Sequence, residues 1–372
     1  MIYLDNAATT FPKPRAVLEK VTKYIKSSCG NPGRSSHRLA SLAAEEVFSA
    51  RDKVSDFLGL DAPEKVVFTQ NATHALNIAI KTVITEPCHV LTSDLEHNSV
   101  IRPLEKLKRT LGVEYSLFSL RGNVYENLTK SMRKDTKVVV STLASNVTGE
   151  CADIKAISDF CRDNRLKLIL DASQLIGHED INLSRTPCSI LCAPGHKALF
   201  GLQGSGFAVF CDGELRDSFM EGGSGADSRS TEMPLLLPER YEAGTLATPS
   251  IVSLGAGIDY LNSIGKENIR LHLKRLTEKL TDALRDMKGI TLLGGGNGIV
   301  LFNAVGINSG RMSSLLDREG ICTRAGLHCA PSAHRLLGTL EDGAVRVSFS
   351  IMNTEKEAER VIDTIAKIIK SE

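Results

Sequence analysis

The sequence lacks the long apolar runs, the charge bias and the targeting features that mark several classes of protein. No apolar run approaches the roughly 20 residues that a transmembrane helix needs. The formal net charge is +1, so the composition does not favour nucleic acid or a membrane as a partner. The N-terminus has no basic region followed by an apolar one, so we expect no secretion signal.

The cysteine pattern also excludes several kinds of site. The nine cysteines are scattered, and none forms a C-x-x-C pair. Zinc sites and disulfide frameworks need such pairs or an even set, so we expect no metal and a reducing cytoplasm as the location. We expect most of the nine to be small buried apolar residues. No G-x-G-x-x-G follows the first strand, which disfavours a dinucleotide-binding fold.

The 372 residues are 42% hydrophobic and 24% charged, an ordinary globular composition with room for two domains. Apolar strand patterns alternate with helical patterns up to about residue 250. This rhythm predicts a mostly parallel sheet covered by helices on both faces, with its ligand at the carboxyl ends of the strands. The pattern then changes to long helices and short strands. We predict an N-terminal segment over 1–15, a large domain over 16–249 and a smaller α+β domain over 250–372.

Two charged residues follow two successive apolar strands. Asp171 comes after the apolar segment 166–170, and Lys197 lies in Gly195-His196-Lys197 after the run 190–192. A lysine amine removed from water loses its proton more easily and can attack a carbonyl. An aspartate beside it suits pyridoxal phosphate, whose ring nitrogen would pair with the carboxylate while the lysine holds the aldehyde carbon. Alone, Lys197 would be a surface lysine in a loop.

The segment 65–69 reads as a strand, and Asn71-Ala72-Thr73 then turns directly into a helix. A strand followed by a small turn and a helix N-terminus makes an anion site, because backbone N–H groups and the helix dipole face the anion. We place the cofactor phosphate at Ala72 and Thr73. The simple alternative is an ordinary helix cap.

A single cysteine stands in Arg324-Ala325-Gly326-Leu327-His328-Cys329-Ala330-Pro331, beside a histidine. A cationic or dipolar neighbour lowers the pKa of a thiol and raises its thiolate fraction. This predicts a reactive Cys329, with an unreactive loop cysteine as the alternative.

Together these motifs resemble the class V aminotransferases, and within them the cysteine desulfurases and selenocysteine lyases. The resemblance runs from Tyr3 to Arg346, nearly the whole chain. The short cysteine loop is most like that of the group II desulfurases. The resemblance implies an α/β fold of the type I pyridoxal-phosphate-dependent transferases, with a mostly parallel sheet in the large domain and a smaller α+β C-terminal domain.

The resemblance also implies a role for each matching residue of the large domain. Lys197 would bind the cofactor and move protons, and Asp171 would keep the ring protonated. His97, in Glu96-His97-Asn98-Ser99, would stack on the ring and assist proton transfer. Asn146 would reach the ring oxygen and the substrate carboxylate. The resemblance makes all four of these residues cofactor-binding positions, together with Ala72, Thr73, Gln174 and His196.

Three further positions come from the resemblance. Arg346 would clamp the substrate carboxylate, and the segment containing Ala8 would border the substrate pocket. Thr245 would reach the phosphate of the opposite subunit, which implies a homodimer with composite sites. Without the resemblance, Arg346 would form a surface salt bridge and Thr245 would lie in a surface turn.

The chain departs from the family pattern at three positions. The family has a threonine where Ala72 stands, a serine where Pro194 stands and often a histidine where Leu327 stands. The first two remove hydroxyls near the phosphate, so either backbone donors and His196 replace them or the match is loose there. Gly30-Asn31-Pro32 and Ser36-His37 match a pattern near the active-site entrance.

We therefore expect a cysteine desulfurase that converts L-cysteine to L-alanine, forms a persulfide on Cys329 and passes the sulfur to an acceptor protein. Alternatives are a selenocysteine lyase, another pyridoxal phosphate C–S lyase or aminotransferase of the same fold, and a sulfur-relay partner with little activity alone.

Overall fold

The larger sheet of the protein has seven strands, in a computed structural model that describes residues 1–33, 37–225 and 229–372. Ser36, part of the predicted entrance pattern, lies outside these ranges. Across the sheet the order is β2 (Val66–Thr69), β8 (Gly206–Phe210), β7 (Ile190–Pro194), β6 (Lys167–Asp171), β5 (Thr136–Thr142), β3 (His89–Ser93) and β4 (Glu114–Phe118). Only the pairings of β8 are antiparallel, which confirms the predicted mostly parallel sheet.

Helices cover both faces of this sheet. They are α3 (Ala72–Val83), α4 (Asn98–Leu111), α5 (Val124–Ser131) and α6 (Ile154–Asp163). The alternation of β5 separates the two layers, because Val138 and Val140 pack with α3 and α4 while Val139 packs with α6. Strands buried on both faces consist of continuous apolar runs, which is why the strands of this sheet could be predicted from the sequence.

Three helices from distant parts of the chain pack together beside the sheet: α1 (Arg15–Ser27), α2 (Arg38–Phe57) and α7 (Thr248–Ile264). Gly257 of α7 lies against the backbone of Leu199, where a Cβ would overlap the carbonyl oxygen. This close approach supports the loop that follows Lys197.

The second sheet is antiparallel, in the order β12 (Arg324–Gly326), β13 (Ala344–Ser348), β10 (Ile299–Ala304) and β9 (Ile290–Gly296). Its helices are α8 (Lys266–Arg285), α9 (Ser309–Arg318), α10 (Pro331–Leu336) and α11 (Glu355–Ser371). The first residues of the chain form β1 (Ile2–Tyr3), which pairs in parallel with β11 (Ile321–Cys322). The N-terminus is therefore attached to the C-terminal part of the chain. We retain the limits 16–249 and 250–372 as a proposal for the two domains.

Two expectations from the sequence were wrong in detail. The pattern of residues 321–324 predicts one short strand, but the strand divides at Thr323, because its halves pair in two different sheets. The prediction that most cysteines are buried also fails. Four are buried, and the other five are half-buried or exposed: Cys29, Cys151, Cys211, Cys322 and Cys329.

Within the described ranges, none of the helices has the length and apolarity to span a bilayer. The same ranges contain no group of three or more His, Cys, Asp or Glu side chains that could hold a metal ion. All nine cysteines are free thiols.

A buried ion pair joins α2 to the start of the large sheet. The two guanidinium nitrogens of Arg51 lie 2.8 and 2.9 Å from the two carboxylate oxygens of Glu242, and each side chain is 7% exposed. Glu242 also accepts a hydrogen bond of 2.6 Å from the backbone of Phe68. The pair therefore fixes the end of β2, from which the chain enters the Asn71 turn.

We predict that Glu242→Gln destabilises the protein by about 3–5 kcal/mol, since it leaves the Arg51 charge buried without its partner. Urea unfolding of the variant measures this. Asp259→Asn is the control, because Asp259 pairs with Lys53 at 2.6 Å on the surface and is 56% exposed. Such a pair contributes at most about 1 kcal/mol, and equal shifts for the two variants would contradict the prediction.

Candidate active site

A cavity of about 140 Å³ lies at the carboxyl ends of β5, β6 and β7. Its walls bring together eight of the predicted residues: Ala72, Thr73, His97, Asn146, Asp171, Gln174, His196 and Lys197. Cavities of about this volume hold a six-membered aromatic ring. The strand-end position agrees with the general rule for ligands of parallel sheets.

Lys197 occupies a loop that the N-terminal segment holds in place. The carbonyl of His196 accepts hydrogen bonds from the hydroxyls of Thr9 and Thr10 and from the amine of Lys13, at 3.1, 3.2 and 2.9 Å. The carbonyl of Lys197 accepts a bond of 2.9 Å from Thr10. These bonds fix the backbone that carries the reactive amine.

The environment of Lys197 favours its neutral amine. Burial lowers the pKa of Lys197 to about 8, and the negative charge of Asp171 opposes this shift. The positive charges of Arg346 and Arg324 lower the pKa further. The amine is therefore a usable nucleophile and proton carrier close to neutral pH.

Asp171 is the last residue of β6 and is 2% exposed. Its Oδ1 accepts a hydrogen bond of 2.9 Å from the backbone N–H of Ser173. Because β6 and β7 are adjacent parallel strands, Asp171 and Lys197 line the same cavity. This wall therefore presents an anionic group, which suits a cationic heterocycle as ligand.

The opposite wall is suited to an anion. The first-turn backbone N–H groups of Ala72 and Thr73 have no intrahelical acceptor, and Asn71, which caps α3, accepts instead from His74 at 2.9 Å. The N-terminus of α4 also reaches the cavity at its cap, His97. The N-terminus of α3 therefore offers backbone donors to this space, and α3 and α4 both direct the positive ends of their dipoles at it, as a phosphate requires.

His97 is held as a neutral imidazole. Its Nδ1 accepts a hydrogen bond of 3.0 Å from the backbone of Ser99, so the neutral ring carries its proton on Nε2. Burial lowers the pKa of His97 to about 4, although Asp171 opposes the shift. The stacking and proton-transfer roles of His97 stay predictions, and an imidazolium is not the form that the site holds.

Four polar residues that the sequence analysis did not select as site residues also line the cavity: Asn71, Ser99, Thr142 and Ser173. Ser99 is the most informative, because its hydroxyl lies 2.7 Å from that of Thr73 and 2.9 Å from Nδ1 of His97. Ser99 thus places a hydroxyl beside the first turn of α3, where Ala72 has none. Its position two residues after His97, in the first turn of a helix, was the available signal.

Cys329 lies in a groove next to this cavity. Its exposed side chain lines a groove of about 360 Å³ whose wall includes Thr73, His97 and Ser99, which also line the cavity. Thus the groove and the cavity are adjacent and share part of their wall. The carbonyl of Cys329 accepts a hydrogen bond of 2.8 Å from the backbone of Asn98, which seats the loop on the N-terminus of α4.

The expectation that His328 supplies positive charge to the thiol is wrong. Its ring is turned inward and is buried. Burial, with a contribution from the charge of Arg346, lowers the pKa of His328 to about 3. The basic side chains of the groove are instead Lys81, Arg102 and Lys106.

Arg346 connects three parts of the site. Its Nη2 lies 2.7 Å from Oδ1 of Asp5, and its Nη1 donates to the carbonyl of Asn146 at 2.8 Å. The side chain is 2% exposed, so the surface alternative is wrong. Within the described residues its Nε has no partner. The predicted carboxylate-binding role stays a prediction.

Ala8 and Thr245, like Arg346, do not line the cavity. Ala8 follows Ala7, whose carbonyl accepts a hydrogen bond of 3.0 Å from the side chain of Gln174. Thr245 is exposed and lines a separate pocket of about 820 Å³ that includes Glu242. The predicted substrate and cross-subunit roles of these two residues stay predictions.

Comparison with known proteins agrees with this geometry. The model of the family "Aminotransferase class-V" matches residues 2–361. A probable cysteine desulfurase of Methanothermobacter thermautotrophicus is 32% identical, over 99% of this chain and 94% of that protein. One from Synechocystis is 28% identical, over 100% and 91%. The apo cysteine desulfurase of Thermococcus onnurineus NA1 superposes with a TM-score of 0.93, at 27% identity, over 100% of this chain and 95% of that one.

We predict that reductive methylation of Lys197 in the cofactor-free protein rises with pH and is half-maximal at about pH 8, the pKa of its amine. Peptide mass spectrometry quantifies the labelled residue. Asp171→Asn should move the midpoint to lower pH, because the carboxylate raises the pKa of Lys197. Asp94→Asn, after the end of β3 and away from the cavity wall, should leave it unchanged. A midpoint near the ordinary lysine value of 10.5 would contradict the proposed environment.

Proposed function

Since this chain belongs to the class V aminotransferase family, we propose that it is a pyridoxal phosphate-dependent cysteine desulfurase, as its relatives are named. The observation that carries the proposal is the exposed thiol of Cys329 in a groove that shares three wall residues with the Lys197 cavity. A transferase that exchanges only amino groups does not require a thiol there. The group II subtype remains a prediction from the short cysteine loop.

The cavity walls fit pyridoxal phosphate. The backbone N–H groups of Ala72 and Thr73 would bind the phosphate, Asp171 would pair with the ring nitrogen, and the amine of Lys197 would bind the aldehyde carbon. When bound, the cofactor supplies an electron sink that stabilises negative charge on the substrate Cα.

The chain supplies proton transfer and substrate orientation. Lys197, whose amine is partly neutral near neutral pH, takes a proton from the substrate Cα and returns it. Asn146 and Arg346 orient the substrate carboxylate, and Arg346 must share its guanidinium with Asp5, which it contacts at 2.7 Å. The Nε2–H of His97, which lines the cavity, would donate a hydrogen bond to a ligand bound there.

Cys329 accepts the sulfur. Its thiolate attacks the sulfur of L-cysteine, and an S–S bond forms as the Cβ–S bond of the substrate breaks. The electron pair of the broken bond stays with the carbon, which takes up the proton that the thiol released. The products are L-alanine and a persulfide on Cys329, so no external oxidant or reductant is consumed.

The exposure of Cys329 also suits transfer of the sulfur to an acceptor protein, since a partner can reach the persulfide without opening the cavity. We further propose a homodimer in which Thr245 of each subunit completes the site of the other. The nine free thiols fit a reducing compartment, and we propose a cytoplasmic location.

We predict that Cys329→Ser lowers alanine release from L-cysteine by orders of magnitude, as loss of a nucleophile does. The measurement is alanine release by the cofactor-loaded enzyme, with L-selenocysteine assayed beside L-cysteine. Cys322→Ser is the matched control, because this half-buried cysteine lies in the same domain on β11 and should leave the rate unchanged.

The outcomes separate the alternatives. Full cysteine turnover in Cys329→Ser would reject the persulfide step. Turnover of selenocysteine alone by the wild-type enzyme would indicate a selenocysteine lyase, and amino-group transfer without alanine release would indicate an aminotransferase. A wild-type rate that appears only after a candidate acceptor is added would indicate a sulfur-relay component.

A further inference from the structure

The Cys329 loop has an unusual backbone conformation. His328 and Cys329 have φ angles of 51° and 56°, in the left-handed region that disfavours residues with a Cβ. Two consecutive residues of this kind persist only when their surroundings hold them. Both lie at the reactive thiol, so whatever holds them also sets the position of the sulfur atom.

Backbone contacts hold one side of the loop. The Nδ2 group of Asn146 donates to the carbonyl of His328 at 2.7 Å, and the backbone N–H of Asn98 donates to that of Cys329 at 2.8 Å. Both donors belong to the walls of the cavity and groove. They fix the loop from the side of the large sheet.

A chain of side chains holds the other side. Nε2 of His328 lies 3.3 Å from the carbonyl of Arg324, and its Nδ1 lies 3.1 Å from Nε2 of His334. Nδ1 of His334 lies 2.8 Å from the hydroxyl of Thr339. The three side chains are 4%, 0% and 7% exposed, so little water competes for these bonds.

The direction of every bond in this chain follows from the carbonyl of Arg324 at one end of it. A carbonyl only accepts, so a neutral His328 must donate to Arg324 through Nε2 and accept at Nδ1. His334 must then donate through Nε2 and accept at Nδ1, which leaves Thr339 as the donor. The reverse direction would bring two lone pairs together between the rings. Burial lowers the pKa of both rings, which keeps both imidazoles neutral, so each bond of the chain carries one proton.

We propose that His334 and Thr339 are positioning residues that hold the Cys329 loop through this directed chain. The chain joins the start of β12 at Arg324, the loop at His328, α10 at His334 and the turn that follows α10 at Thr339. His328 thus acts as an anchor, in keeping with the low pKa values that burial gives to both rings. The proposal rests on the proposed function, since only sulfur transfer requires an accurately placed thiol.

Two pairs of variants test the chain by activity. Thr339→Val keeps the shape of the side chain but removes its donor, and Thr339→Ser keeps the donor. His334→Leu removes both ring contacts, and His334→Gln keeps a donor toward His328. We expect Thr339→Val and His334→Leu to lower kcat for alanine release by up to about 100-fold, as misplacement of a reacting group does. We expect the other two variants to retain most of the rate.

Comparison of kcat with KM distinguishes a positioning role from general damage to the fold. KM for L-cysteine and the cofactor absorbance should stay unchanged in all four variants, because the cavity walls are intact. Wild-type kcat in both Thr339→Val and His334→Leu would overturn the proposal. So would equal losses in all four variants accompanied by loss of the cofactor. If His334→Leu does not fold, the threonine pair decides the question.

A measurement without turnover separates this proposal from the proposed function. ¹⁵N NMR of histidine-labelled holoenzyme reports the tautomer of each ring, with signals assigned through the His334→Gln and Thr339→Val spectra. We expect both rings to be neutral with the proton on Nε2. An imidazolium or an Nδ1–H tautomer at either residue near neutral pH would overturn the chain. Failure of the wild-type enzyme to release alanine would instead reject the proposed function.

Discussion

The site depends on an amine and a carboxylate placed at the ends of adjacent parallel strands. Asp171 ends β6, and Lys197 follows β7 in a loop tied down by Thr9, Thr10 and Lys13. Enclosure lowers the pKa of the amine and the neighbouring negative charge limits the fall. With enclosure alone the amine would be a weak base, and with full solvation it would stay protonated. The pairing of strands therefore sets the reactivity of the lysine.

The rest of the site is assembled where separate parts of the chain meet. Arg346, on a strand of the smaller sheet, contacts Asp5 of the N-terminal segment and the backbone of Asn146 in the larger domain. Asn297, in the turn between β9 and β10, donates to the carbonyl of Gln174 at 2.7 Å. Asn146 lines the cavity that encloses the amine and also donates to the carbonyl of His328. One wall residue therefore serves both the cavity and the thiol-bearing loop. A shift between the two sheets would disturb both at once, so the chemistry requires them to remain fixed relative to each other.

Sequence patterns located site residues where the position of a side chain follows from the order of strands and helices along the chain. Parallel strands bring their carboxyl ends to one edge, so Asp171, His97 and Lys197 could be grouped before their positions were known. β9 was not predicted, because its glycines give no apolar alternation. They are needed for close backbone contact with Thr148 and Gly149, which only the folded arrangement specifies. The inward turn of His328 likewise depends on its contact with His334, six residues later on α10, and not on any local pattern.

The distribution of charge explains how one pocket can bind anions and still transfer protons. His97 and His196 are neutral, since burial lowers both pKa values to about 4. Attraction for a phosphate or a carboxylate then comes from arginine and from helix N-termini, neither of which titrates near neutral pH. In the proposed mechanism, binding of the anionic groups is thereby separated from proton transfer, which we assign to Lys197. Charged histidines would raise affinity for the same anions but would further lower the pKa of the lysine, so their burial preserves its basicity.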